Sequence, residues 1–239
     1  MDLPAVKSID GAALIEEGRS VVARTDAAGL PLRLLGGVGI ALHCGGVPYR
    51  PFADLDAITT GKAARGVAAE LAAAGYEPHT RFNAMHGDRR LAFDGPHGKL
   101  DVFVGRFEMC HRIDLFDRLM LETPTITATD LLLTKLQIVE LNEKDVLDAA
   151  LLLRAHELAE GDGDHIDRAR MCAVTKDDWG LWRTMTGALE TIGQRAPDVA
   201  ERAIALAAVL EAAPKGRAFR MRARVGERKR WYSLPDEVG

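Results

Sequence analysis

The spacing of apolar and polar positions changes several times along this chain of 239 residues, and each change marks an element. Residues 10 to 28 place apolar side chains at helical spacing in an Ala-rich stretch that ends near Gly29-Leu30-Pro31, which predicts a helix with a Gly–Pro stop. "LRLL", from Leu32 to Leu35, is a short apolar run consistent with a buried strand, and it ends on the pair Gly36-Gly37. "VGIALHC" has the size and composition of a short helix closed by Gly45-Gly46. "ADLDAIT" alternates with period two and predicts a strand. "KAARGVAAELAAAGY" predicts a helix stopped at Gly75. "RRLAFD" and "KLDVFVG" follow as strands, with the Gly-Pro-His-Gly stretch at 95 to 98 turning between them. "MHGDRR", at 85 to 90, is expected to be a hairpin turn, and "CHRIDL" adds a further strand.

Beyond Pro124 the strand signal fades. "TATDLLLTKLQIVELNEKDVLDAALLLRAHELAEG" carries helical spacing with Asn142 as the break between two helices. "DHIDRARMCAV", "KDDWGLWRTMTGALETIGQRA" and "PDVAERAIALAAVLEAA" continue the helical series, each opening on an acid or a proline. Trp179, Trp182, Met185 and Leu189 recur at helical spacing and are expected in a core. The expected fold class is α+β. An α/β N-terminal half with a small mixed sheet spans 1–122, a helical half spans 123–214, and a short basic tail spans 215–239. In that tail Phe219, Met221, Ala223 and Val225 alternate with Arg220, Arg222 and Arg224, which predicts a strand or hairpin with one arginine face.

The chemistry concentrates in the N-terminal half. Residues two apart on a strand point the same way, so Asp54 and Asp56 share a face and Leu55 points to the other. Two ionised carboxylates about 4 Å apart repel by roughly 4 kcal/mol at an effective dielectric near 20, so such a pair needs a cation, a proton or water. Asp101, in the apolar "KLDVF", is a third candidate. Three oxygen donors from two strands make a hard site suited to Mg²⁺ or Mn²⁺ rather than zinc. Gly36 and Gly37, lacking Cβ atoms, allow a phosphate to approach the backbone, and a helix starting there aims its amides at the anion. Strand, Gly-Gly, short helix, Arg50, Asp-x-Asp strand, helix and Asp strand together describe a holder for a metal–triphosphate.

Composition narrows the class further. Hydrophobic content of 47% and charged content of 28% suit a globular protein. No apolar run approaches the roughly 20 residues that span a bilayer, so no membrane partner is expected. "MDLPAVKSIDGAALIEEGRS" lacks the basic start and apolar stretch of a signal peptide. Cys44, Cys110 and Cys172 are too few and too far apart for a disulfide framework or a zinc pattern, and a reduced cytoplasm is the expected location. His43, His86, His97 and His111 are scattered without ligand spacing. Between Lys215 and Tyr232 stand eight Lys or Arg residues against one acid, Glu227, in a chain whose net charge is −4. A basic tail on an acidic body implies either a polyanionic partner or docking of the tail on that body.

"LLGGVGIALH" followed by "RPFADLDAIT" resembles the signature of the DNA polymerase β-type nucleotidyltransferase superfamily, and most closely the AbiE-type nucleotidyltransferase toxins and their uncharacterised bacterial relatives. The resemblance covers roughly residues 30 to 155. It matches Gly36 and Gly37 to the pair that opens a helix, Arg50 to the Arg before the strand, Asp54 and Asp56 to the metal-holding pair, and Asp101 to the third acid. "DLLLTKLQ" is similar to the family helix that carries Asp130 and Lys135, and "NEKDVLDAALLL" to the next one, with Lys144, Asp145 and Asp148. Two departures stand out: the extra loop "CGGVPY", and Phe52 where relatives often carry Ser or Thr.

The resemblance implies Mg²⁺-dependent transfer of a nucleoside monophosphate from an NTP to a hydroxyl, with Asp101 positioning or deprotonating the acceptor. It further implies Lys135 as counter-charge to the triphosphate and Asp148 as part of the nucleotide site. Lys144, Asp145 and Asp148 read equally as an exposed charge cluster on a helix. Arg89 and Arg90 are candidates for acceptor binding. The acceptor could be tRNA or protein, with a cognate antitoxin as partner. A module that binds nucleotide or RNA without transfer, and a small-molecule (antibiotic) nucleotidyltransferase, are the alternatives.

Overall fold

The computed structural model describes residues 10–234. The chain forms two compact units: residues 10–105 with Thr123–Thr125, and residues 106–122 with 126–234. The segment 106–122 therefore packs with the helical part, whereas the sequence reading placed it with the sheet.

In the first unit, helix α1 (Gly11–Ala27) begins at Asp10, whose carboxylate accepts hydrogen bonds from the Ala12 and Ala13 amides. Strand β1 (Leu32–Leu35), helix α2 (Gly36–His43), strand β2 (Asp54–Thr59), helix α3 (Ala64–Ala73), the two-residue strand β3 (Glu77–Pro78), helix α4 (Thr80–His86), strand β4 (Arg90–Asp94) and strand β5 (Lys99–Val104) follow. The expected turn at "MHGDRR" is instead the end of α4 and the turn after it, so the hairpin reading there is corrected. One sheet has the order β1-β2-β5-β4-β3, with β2 and β5 parallel and the other neighbours antiparallel.

Register fixes which residues share a face. Leu34, Ala57, Val102 and Leu91 stand side by side across four strands, and all four are buried. With Leu14, Val22, Leu55, Val67, Leu71, Phe93 and Leu100 they form one apolar core. An ion pair from Arg24 to Glu70 at 2.9 Å ties α1 to α3. One residue along, Leu35, Asp56, Asp101 and Ala92 form the matching row on the opposite face. The alternation that buries Leu55 and Ala57 therefore lifts Asp54 and Asp56 out of the core together.

The second unit opens with a hairpin of β6 (Arg106–Glu108) and β7 (Arg112–Asp114). Helix α5 (Ala128–Leu136) is capped by Thr127, and α6 (Glu143–Ala155) by a capping box in which Asn142 and Asp145 satisfy each other's backbone amides. The break expected at Asn142 is this cap. A short parallel pair, β8 (Leu158–Ala159) and β9 (Ile166–Asp167), leads into α7 (Arg168–Thr175), α8 (Trp179–Arg195), α9 (Ala200–Ala212) and α10 (Arg217–Ala223). Leu131, Leu132, Leu152, Met171, Leu181, Met185, Leu189 and Leu206 fill the core.

The tail differs from its period-two reading: "RAFRMRA" is α10, and Val225 leads into a short 3-10 turn. Only Phe219 of the alternating apolar set is buried, while Met221 and Val225 stay exposed, so no buried strand face exists there. Among the described residues no helix is long and apolar enough to cross a membrane.

Charge is also built into this core. Asp130 is fully buried, and its carboxylate accepts from Arg118 at 2.6 Å, Thr127 at 2.9 Å and Arg170 at 3.3 Å. Burial disfavours the Arg118 cation, but Asp130 and Asp162 outweigh it and raise its pKa. Removing one member of such a group strands the others without compensation. Asp130→Ala is expected to destabilise the protein by about 3–5 kcal/mol, lowering the melting temperature on the order of 10 °C in a thermal unfolding scan. A change of a degree or two would show that the two arginines readily find other partners.

Candidate active site

Six of the residues singled out in the sequence lie in the first unit: Gly36, Gly37, Arg50, Asp54, Asp56 and Asp101. The register of β2 and β5 sets Asp54 beside Lys99 and Asp56 beside Asp101. Asp54 is exposed, while Asp56 and Asp101 are half-buried. On the other side Asp56 is paired with Leu35, the last residue of β1. The next step of the chain brings helix α2 to the same place.

That step depends on glycine. Gly36 has φ +64°, the left-handed region that L side chains avoid, and a Cβ there would overlap Asp56 Oδ2. The first turn of α2 therefore lies directly against the Asp56 carboxylate. Leu35, in the N-cap position, makes no side-chain cap hydrogen bond. The amides at a helix start carry partial positive charge and attract anions.

Arg50 closes the other side. A Cβ at Gly37 would overlap its guanidinium, so the cation lies over that glycine. The guanidinium also stands 5.6 Å from the Tyr49 ring centroid and 5.4 Å from that of Phe52, and donates to the Pro51 carbonyl at 3.0 Å. Phe52 is buried and meets Tyr49 edge-on at 5.8 Å, so it anchors the loop carrying Arg50. A carboxylate row and a cation thus flank one helix start.

Asp101 carries a partner that the sequence reading missed. Arg90 Nη2 donates to its Oδ2 at 2.5 Å. Ala92 is the direct neighbour of Asp101, which puts Arg90 on the diagonal of an antiparallel pair, within reach of a long side chain. The guanidinium stacks 5.9 Å from Phe82 and 5.6 Å from Phe103. The diagonal was available in the sequence once "RRLAFD" and "KLDVFVG" were paired through their turn, but only with the register known.

Lys135 and Asp148 belong to the second unit. Lys135 Nζ lies 2.8 Å from Asp148 and 3.2 Å from Asp145, and Asp148 is fully buried. Burial disfavours the ammonium, yet the two carboxylates outweigh it and raise its pKa. Lys135 therefore already has two counter-charges, and it joins α5 to α6. The reading of Lys144, Asp145 and Asp148 as an exposed cluster is corrected: Lys144 is exposed, but both acids are buried because they face Lys135.

No family model and no curated protein matches the sequence. Several solved structures do. A lincosamide antibiotic adenylyltransferase, LnuA, in its lincomycin-bound form matches 57% of this chain and 94% of its own, with 19% identity and a TM-score of 0.45. ANT(2")-Ia in complex with adenylyl-2"-tobramycin matches 60% of this chain and 89% of its own, with 13% identity and a TM-score of 0.44. An antigenic nucleotidyltransferase-like protein from Paracoccidioides brasiliensis matches 86% and 95%, with 16% identity and a TM-score of 0.42.

The two glycines differ in what replaces their missing side chains, and their substitutions should differ accordingly. Gly36→Ala forces a left-handed residue, at about 1–2 kcal/mol, and displaces Asp56 as well. Gly37→Ala meets the far end of a flexible arginine, which moves at little cost. Thermal unfolding of the two variants should show the larger loss for Gly36→Ala. Equal losses would mean that Asp56 does not depend on Gly36.

Proposed function

We propose that the first unit is a nucleotidyltransferase. It binds a nucleoside triphosphate together with Mg²⁺ or Mn²⁺ and moves the nucleoside monophosphate to a hydroxyl acceptor. The observation that carries this reading is the contact between Gly36 and Asp56, which sets a helix start against a row of carboxylates. A site for anions and a site for a cation therefore share one wall. The ordered sequence pattern from Leu34 to Thr59, and its resemblance to the superfamily, support the same reading.

The donor set fits a hard divalent cation. Asp54 and Asp56 offer only oxygen, with Asp101 beside Asp56 in register. These three residues would hold the ion. When bound, the cation would offset phosphate charge and polarise the phosphorus under attack.

The chain's own groups take the remaining tasks. Amides at the start of α2 accept the triphosphate, while the absence of Cβ at Gly36 and Gly37 leaves room for the Asp56 carboxylate and the Arg50 guanidinium to stand against that turn. Arg50 adds a cation beside that turn, where a guanidinium can hold phosphate in two hydrogen bonds. The acceptor oxygen attacks the α-phosphorus. The bond from that phosphorus to the α–β bridging oxygen breaks, and pyrophosphate leaves with the electron pair. Asp101 orients the acceptor hydroxyl and takes its proton, and Arg90 holds the Asp101 carboxylate in place until the acceptor arrives. Lys135 and Asp148 serve as a buried tie between α5 and α6 in this scheme rather than as nucleotide ligands.

Thermal unfolding with each of the four NTPs, with and without Mg²⁺, tests the binding half of the proposal. Ligand at about 100 times its dissociation constant stabilises the folded state by about 2.7 kcal/mol, a rise of roughly 5–10 °C for a chain of this size. The rise should require Mg²⁺ and disappear in Asp56→Ala. An NTP-dependent rise that survives Asp56→Ala would favour a module that binds nucleotide without this metal site. No rise with any NTP would overturn the proposal.

A further inference from the structure

The basic tail takes no part in the scheme above, and its structure separates its cations into two groups. Successive helical residues turn by about 100°, so Arg217, Arg220 and Arg224 fall on one face of α10 and Phe219 on the opposite face. Phe219 is buried against Trp182, with ring centroids 5.3 Å apart and Lys215 stacked 5.2 Å from the Phe219 ring. Trp231 meets Trp179 edge-on at 5.6 Å and donates to Thr184 Oγ1 at 3.1 Å. The tail is thus pinned to α8 at two aromatic points, and its outward face is held in a fixed position.

Some arginines are committed to building that shape. Arg222 lies 4.7 Å over the Trp179 ring and donates to the Gly226 and Lys229 carbonyls. Arg228 donates to the Val225 and Arg224 carbonyls. The single acid, Glu227, is paired with Arg183 at 2.6 Å. Arg217, Arg220, Arg224 and Lys229 are exposed and none forms an ion pair among the described residues, although Arg220 also donates to the Lys215 carbonyl at 2.6 Å. The segment therefore presents a stripe of exposed cations that form no ion pair among the described residues.

The end of the same tail helps to line a polar cavity of about 340 Å³, whose walls include Glu108, His111, Arg112, Arg230, Trp231 and Tyr232. Its two walls are joined by the Ser233 amide, which donates to the Cys110 carbonyl at 3.0 Å. Arg230 stands 4.9 Å over the Tyr232 ring, and Arg112 is paired with Asp114. Small-ligand sites usually measure about 300–1,000 Å³, so this cavity has the volume for one small polar group such as a single base.

We propose that the tail of the second unit is a docking surface for a single nucleic-acid strand. Arg217, Arg220, Arg224 and Lys229 contact successive phosphates, and the cavity at Tyr232 receives one unstacked base. Arginine suits this task because its planar fork binds phosphate in two hydrogen bonds. A single strand, unlike a duplex, can splay a base into such a cavity. The surface stands apart from the proposed transfer: it predicts binding without NTP, metal or Asp56.

Fluorescence anisotropy of a labelled single-stranded RNA oligonucleotide with the full chain tests it. Each phosphate contact contributes about −0.7 to the slope of log Kobs against log salt. The triple variant Arg217→Glu, Arg224→Glu, Lys229→Glu should weaken binding at least about tenfold and reduce the slope by about 2. Its melting temperature should stay at the wild-type value, because these side chains make no ion pair among the described residues. Tyr232→Ala should weaken binding with little change in slope, and Asp56→Ala should leave it intact. A wild-type chain that fails to bind the RNA at low salt would overturn the proposal. So would a triple variant that keeps its affinity and slope. Binding to phosphatidylserine vesicles without binding to RNA would assign the same cations to a lipid surface instead.

Discussion

The alignment of Asp56 with Leu35 on one side and Asp101 on the other governs the first unit. A strand that buries Leu55 and Ala57 must turn Asp56 to the opposite face, and its register must set that carboxylate beside a second one. Like charges so placed raise the energy of the folded state unless something compensates them. Arg90 compensates Asp101. The first turn of α2, with its amides and its two glycines, stands against Asp56. In the proposed function, the cost of gathering these acids is what suits the place to a cation and a polyanion together.

The same economy of charge recurs in the second unit, with a different result. Asp130 between Arg118 and Arg170, and Lys135 between Asp145 and Asp148, are saturated by partners inside the fold. Buried groups of this kind add little net stability over apolar packing, but breaking them is costly, so they favour one arrangement of helices. In the tail the balance reverses. Phe219 is buried, Trp231 and Tyr232 are half-buried, and the arginine stripe is exposed, which holds charge at the surface of a shaped segment.

Much of the first unit is legible in the sequence because its signals are local. Period two marks β2 and β5, glycines punctuate β1 and α2, and the side-chain direction of Asp54 and Asp56 follows from strand geometry alone. Register is not local. The Arg90–Asp101 bond depends on which residues of β4 and β5 stand opposite each other, and the turn alone leaves that open. The resemblance implies Lys135 as counter-charge to the triphosphate, but the sequence does not reveal that Asp145 and Asp148 lie one helix away and face it. The tail shows the limit of periodicity over a short span: Phe219, Met221 and Val225 alternate, yet only Phe219 finds an aromatic partner, and helix wins.

In the proposed transfer a metal-bound phosphate lies at the start of α2, beside Asp56. Backbone amide chemical shifts test it most directly, since Gly36 and Gly37 have their own NMR signals. Titration with a non-hydrolysable NTP analogue should shift both amides when Mg²⁺ is present, and Asp56→Ala should abolish the effect. Bound nucleotide that leaves the Gly36 and Gly37 amides unmoved would contradict the account.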